Sequence, residues 1–164
     1  MKIIDFRFRP HTPEIINGIK NSSMFKATCE AIGFDKRVPE PLPQVVEGLR
    51  RRGVERAVIT GRDCETTYGF PANNPSVLEF VRAHPDLFVG FWGIDPHKGM
   101  KAVAEIVHAV EDLGMRGIAT DPYLAHLPPH EARYYPLYTK CAELDIPVFI
   151  TTAPPPQVPR SVID

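Results

Sequence analysis

Five short apolar, β-rich runs separated by segments of helical periodicity constrain this chain more than any other feature. The runs are KIIDFRF, ERAVIT, LFVGFWGI, GIAT and PVFITT. Between them, LPQVVEGLRRRG places Val45, Val46 and Leu49 on one side of a helix, with Gly53 where a left-handed stop is expected. NPSVLEFVRAHPD gathers Val77, Leu78 and Val81 on one face. MKAVAEIVHAVEDLGM spaces Val103, Ile106, Val107 and Val110 helically and ends at Gly114. HEARYYPLYTKCAELDI carries Leu137, Cys141 and Leu144, and Pro136 is compatible with a helix that starts beside it. Strand–helix–strand order with connections of this length implies parallel strands joined by right-handed crossovers. A run as apolar as LFVGFWGI implies a strand covered on both faces. The fold class is α/β, with a parallel sheet.

The 164 residues fit one domain, 1–164, with enough chain for a sizeable core. The first crossover is the longest. Residues 11–41 hold an extra, partly helical segment, expected to form a flap over one end of the sheet. The 18 prolines, among them Pro10, Pro71, Pro96, Pro122 and Pro154, punctuate strand ends, where a missing N–H is tolerated. After the proline-rich PPPQVP, Ser161 to Asp164 reads as a new helix beginning, as in a chain cut inside a larger repeating unit. The formal net charge of −1 gives no basic footprint for nucleic acid. No apolar run approaches the roughly 20 residues that span a bilayer. MKIIDF lacks a signal-peptide core, so a cytoplasmic location is expected. Cys29, Cys64 and Cys141 are odd in number and far apart, which suits reduced, buried thiols rather than a disulfide framework or a zinc motif.

The first strand poses a chemical question. In IIDFRFRP, a period of two puts Asp5, Arg7 and Arg9 on one face and Ile4, Phe6 and Phe8 on the other. Guanidiniums inside a fold need acidic or anionic company. A structural ion-pair network with Asp5 and an anion site for a ligand both satisfy that need.

The segments GMRGIATDP, YYPLYTKCAELDIPVFITTA and IIDFRFRP together resemble the amidohydrolase-related family. This is the branch of metal-dependent (β/α)8 barrels with aminocarboxymuconate semialdehyde decarboxylase-like and dicarboxylate lactonase-like enzymes. The resemblance implies a partial (β/α)8 TIM-type barrel contributing its first five strands, with a helical insertion after strand 1. A self-sufficient doubly wound sheet is the alternative. A part-barrel leaves two open sheet edges, so a homo-oligomer is expected. In the family the first strand reads Asp-x-His-x-His, a later strand ends in His-Pro, and another ends in His-Thr-Gly. Here Arg7 and Arg9 replace the first-strand histidines, Asp121 replaces the third, and Thr151 the last. Arginine offers no lone pair to a metal. Of the matched positions only Asp5 and Asp121 are able to ligate a cation. No metal ligand set, and no zinc or other cofactor, is therefore expected.

The resemblance then implies a hydrolase or decarboxylase acting on a small carboxylate, with arginines in place of the first metal ligands. Arg7 and Arg9 would bind the carboxylate, with Arg62 and Tyr123 as further ligand-binding residues. Asp5 and Asp121 would supply catalytic acid–base groups. The alternative is a catalytically silent relative that binds an anion or only a protein partner. Asp121 also reads as an Asp-Pro turn initiator, and Asp95 is read as a helix cap. Thr151 reads as a plain strand residue and Trp92 as core. His11 lies just after the arginine strand and has either a site role or none. His97, His126 and His130 fall in strand–helix loops of the same end, with no metal-binding pair expected among them.

Overall fold

The computed structural model describes residues 2–21, 25–31 and 33–152. The strands are β1 (Ile3–Phe8), β2 (Val54–Thr60), β3 (Phe88–Gly93), β4 (Gly117–Thr120) and β5 (Val148–Ile150). All neighbouring pairs are parallel, and the order across the sheet is β1-β2-β3-β4-β5. A doubly wound sheet reverses its winding at a switch point. This one never does, so the strands form a curled half-barrel, the first part of a TIM-type barrel. The reading of Ser161–Asp164 as a new helix lies outside the described residues. No described helix is long and apolar enough to cross a membrane.

The helices are α1 (Pro13–Lys20), α2 (Lys26–Ala31), α3 (Leu42–Arg51), α4 (Glu65–Tyr68), α5 (Asn74–Ala83), α6 (Met100–Glu111), α7 (Pro122–Ala125) and α8 (Tyr135–Glu143). α3 ends where Gly53 takes φ +78° and α6 is followed by Gly114 at +73°, conformations that cost a side chain but not glycine. Pro136 occupies the first turn of α8, where its missing N–H has no partner to lose. α1, α2 and a 3-10 turn at Phe34–Lys36 make up the insertion after β1.

The strands alternate between two apolar layers. Ala57, Ile59 and Phe88 pack outward against Val45, Val46, Leu49, Val77 and Phe80 of α3 and α5. Ile118 and, at its margin, Val148 pack against α6 and α8 through Ile106, Leu137 and Cys141. Trp92 borders both outer clusters, as its reading as core expects. Val58, Phe91 and Ala119, with Val89 and Phe149, line the concave face. Continuing that alternation carries Thr60, Arg62, Gly93, Asp121 and Thr151 to the concave side at the C-terminal strand ends.

β1 departs from the expected pattern. Asp5 pairs with Ala57 and Phe8 with Ile59, three steps against two. That extra residue is a β-bulge, and it resets which face follows. Phe6 points to the concave face, edge-on to Phe91 at 5.9 Å and stacked near Phe149 at 6.4 Å. Phe8 points the other way, stacked on Phe88 at 6.2 Å. Phe6 and Phe8 therefore do not share a face, and neither do Asp5 and Arg9. The expectation of unbroken period-two alternation is corrected by the bulge. Ile4 and Phe6 remain 64% and 55% exposed, on a face that a complete barrel would cover.

Candidate functional site

The loop after β2 places Arg62 at the strand ends. Its backbone N–H donates to Asn73 Oδ1 at 2.6 Å, fixing the turn. Asn74, the first residue of α5, receives the Gly93 N–H at 2.7 Å and donates to the Gly93 carbonyl at 2.9 Å. This locks the ends of β2 and β3 in close approach. A Cβ at Gly93 would lie 2.4 Å from the Arg62 nitrogen and 2.5 Å from the Gly61 carbonyl carbon. Both contacts are with backbone, which cannot swing aside. Gly93→Ala is expected to cost at least about 2–3 kcal/mol by overpacking. A thermal melt unchanged from wild type would show that the close approach does not exist.

From this anchored turn the Arg62 guanidinium reaches across the concave end. Nε donates to Asp121 Oδ2 at 2.7 Å and Nη2 to the Tyr123 hydroxyl at 3.2 Å. Its carbon lies 5.5 Å from the centre of the Phe25 ring, contributed by the insertion. Burial opposes the Arg62 charge, but Asp121 outweighs it and raises its pKa above the ordinary value. Burial likewise opposes the Asp121 carboxylate. Arg62, a hydrogen bond from Thr151 and the more distant Arg9 overcome that penalty and hold its pKa below the usual value. Asp121 opens α7, yet its side chain makes no capping bond. It spends its oxygens on Arg62 and Thr151 instead. Tyr123 is 3% exposed, and burial pushes its phenol pKa upward, so it stays protonated.

Arg9 completes the cluster. It lines a cleft of about 90 Å³ together with Thr60, Arg62, Asp121 and Thr151, and with His11, Ile15, Ile19 and Phe34 from the segment after β1. Burial, then Arg62 and Arg7, lower the Arg9 pKa, while Asp121 and Tyr123 act in the opposite sense. Among the described residues Arg9 forms no ion pair.

Four of the six residues singled out in the sequence thus converge: Arg9, Arg62, Asp121 and Tyr123. Arg7 and Asp5 do not join them. The Arg7 guanidinium lies 5.7 Å from the Phe149 ring centre and outside the cleft lining. Asp5 accepts the Arg7 backbone N–H at 3.0 Å, so it shapes the strand and does not orient the guanidinium. The bulge separates both from the cleft. Asp95 caps a short turn by accepting the His97 N–H at 2.9 Å, as its cap reading expects. His97 contacts the Ala125 carbonyl and Arg133, and His126 contacts the Tyr68 hydroxyl. Burial pushes the Cys64 thiol up to about 12, which leaves it no thiolate character at neutral pH.

Sequence reasoning missed Thr151 as a partner of Asp121, the two asparagines that set the Arg62 turn, and Lys98. The Lys98 ammonium lies 2.6 Å from Asp63, 3.4 Å from Glu65 and 3.8 Å from Glu105. It ties the loop after β2 to α6. The Asn-Asn-Pro run at the start of α5 was a usable signal, since asparagine commonly anchors turns.

At the described strand ends few side chains are able to ligate a metal ion. Among the described residues no three His, Cys, Asp or Glu side chains converge on a common point. The positions matched to the family's histidines carry two guanidiniums, a threonine and Asp121, whose carboxylate is engaged by Arg62.

A barrel half with its polar cluster at the C-terminal strand ends is where enzymes of this architecture place their chemistry. The family model described as amidohydrolase matches residues 34–162. This chain belongs to that family. No curated protein matches the sequence. Among solved structures it is similar to 5-carboxyvanillate decarboxylase from Novosphingobium aromaticivorans, crystallised with manganese and 3-methoxy-4-hydroxy-5-nitrobenzoic acid. There the identity is 18%, the TM-score 0.68, and the match covers 94% of this chain and 52% of that one. 2,6-Dihydroxybenzoate decarboxylase from Rhizobium matches at 17% identity and TM-score 0.60, over 98% of this chain and 53% of that one. 5-Carboxyvanillate decarboxylase from Sphingomonas paucimobilis matches at 13% and 0.69, over 95% and 53%. These likenesses show the fold, and this chain spans about half the length of each of them.

Proposed function

We propose that this chain supplies the first five strands of an amidohydrolase-related enzyme that hydrolyses or decarboxylates a small carboxylate, and that Arg9 seats the carboxylate. The observation that carries the reading is an excess of fixed positive charge. Arg9 and Arg62, with Arg7 acting from outside the cleft, surround Asp121, the one carboxylate among the cleft-lining residues, and Arg62 already neutralises it. An incoming carboxylate gives Arg9 the anion it lacks, through a charge-assisted and geometrically specific contact. Asp121, held ionised at neutral pH, suits the role of base or electrostatic partner and not that of proton donor. The decarboxylases of similar fold support a carboxylate as substrate, and aromatic carboxylates as the first to try.

A second reading rests on a specific observation. The Arg62–Asp121 pair already holds a fixed cation against the carboxylate at 2.7 Å, which favours a relative that keeps the scaffold and binds an anion without turning it over. Calorimetric titration with benzoate and 2,6-dihydroxybenzoate, in low salt at neutral pH, tests the shared claim. A dissociation constant of about 1 mM or tighter is expected, equivalent to about −4 kcal/mol. Absence of heat for both ligands at that concentration would sink it. Carbon dioxide release from the bound carboxylate then separates the enzyme from the silent binder.

A further inference from the structure

The insertion after β1 leaves the strand at His11 and returns toward α3 through Arg37 and Glu40, and its two feet meet. Arg37 Nη1 lies 2.8 Å from His11 Nε2 and 3.3 Å from Nδ1, a contact that spans 26 positions of chain. Beside it the Glu40 N–H donates to the His11 carbonyl at 2.9 Å. Lys20, the last residue of α1, donates to the Arg37 carbonyl at 3.2 Å. Phe34 packs edge-on to His11 at 5.7 Å and lies 5.4 Å from the Arg37 guanidinium. From this base the insertion presents His11, Ile15, Ile19 and Phe34 to the cleft.

A guanidinium only donates and stays protonated, so its contact with His11 needs a lone pair on the ring. A neutral imidazole has one and an imidazolium has none. Protonating His11 would turn the hydrogen bond into two cations within hydrogen-bond distance. Among the described residues Arg37 forms no ion pair that would screen them. Arg9, at the end of β1, adds to the repulsion and Glu40 opposes it. Arg62 and Asp121, the other charged residues of the cleft lining, pair with each other.

We propose that the His11–Arg37 contact is a pH-sensitive latch: neutral His11 closes the base of the insertion beside the cleft, and protonation of His11 releases it. Burial first, then Arg37, lower the His11 pKa from its ordinary 6.5. The latch's contribution is therefore fully present above 6.5 and is lost as pH falls through the lower value in the fold. The latch acts whether or not Arg9 seats a carboxylate.

Hydrogen exchange of the Arg37 and Glu40 amides, which donate to the Phe34 and His11 carbonyls, reads the latch without any ligand. Protection relative to intrinsic exchange is compared at about pH 7.5 and about pH 5, on either side of the imidazole range. In the wild type it is expected to fall about fivefold or more in acid, the loss of one net hydrogen bond. The core amides of Ala57 and Met115, bonded to the Leu87 and Ala109 carbonyls, should keep theirs. In His11→Gln, whose side-chain oxygen accepts from Arg37 at either pH, the fall should shrink below about twofold. Arg37→Gln should show the same small change, because its amide donates to the neutral ring and accepts from the protonated one. That second variant decides the matter if His11→Gln leaves the insertion unprotected throughout. Unchanged protection in the wild type overturns the latch. So does a fall of equal size in both variants, or one shared with Ala57 and Met115.

Discussion

Arg62→Met lowers the melting temperature of this chain by about 6–12 °C, the shift that roughly 3 kcal/mol produces in a domain of this size. The Arg62 and Asp121 side chains are 20% and 11% exposed, and their contact is 2.7 Å. Removing the guanidinium leaves the carboxylate buried with only Thr151 to hydrogen-bond it, and an uncompensated buried charge is the costly outcome. Arg62→Met with Asp121→Asn is milder than Arg62→Met alone, because no charge is then stranded. The pH dependence follows from the depressed Asp121 pKa. In the wild type, the pair's contribution is fully present above the unfolded carboxyl value near 3.8 and is lost as pH falls through the folded value. Without Arg62, burial raises the Asp121 pKa, so the variant regains stability by protonating in mild acid. The gap in melting temperature therefore narrows as pH falls. A variant that melts with wild type at neutral pH would refute the buried pair.

The parts of this fold legible in the sequence are those set by local pattern. β4 occupies the expected GIAT, and α3, α5, α6 and α8 fall on the apolar spacings that predict them. Proline and glycine punctuation works because it acts through backbone geometry within one or two residues. Half-barrel closure was legible only through resemblance, since strand order is a non-local property. The bulge in β1 was not legible at all. Nothing in IIDFRFRP marks it, because it arises from how Asp5 and Phe8 register against Ala57 and Ile59, some fifty residues away. Thr151 escaped for a related reason. A threonine at the end of a strand is ordinary in sequence, and only the neighbouring strand's Asp121 gives its hydroxyl a task. Arg62 and Asp121 were found as separate candidates, and their pairing across 59 positions required the folded sheet.

That same bulge separates two arginines that the sequence treats as equals. Arg9→Met should weaken benzoate binding by roughly ten- to a hundredfold, the loss of one charge-assisted contact of about 1.5–3 kcal/mol. Arg7→Met should change it by no more than about threefold, because its guanidinium rests near Phe149 and acts on the cleft only at long range, where water and salt screen it. Stability should divide the other way from a structural ion pair. Burial, then Arg62 and Arg7, disfavour the charge on Arg9 more than Asp121 and Tyr123 favour it, so Arg9→Met leaves the melting temperature unchanged or slightly higher. An arginine held only for structure would do the reverse, stranding an acid when removed. Titration and thermal melts of the two variants, run side by side, read both effects. Unchanged affinity in Arg9→Met would remove the carboxylate from this position. Equal losses in both variants would mean that the two guanidiniums act on the ligand together, despite the extra residue in β1 that turns Arg9 into the cleft.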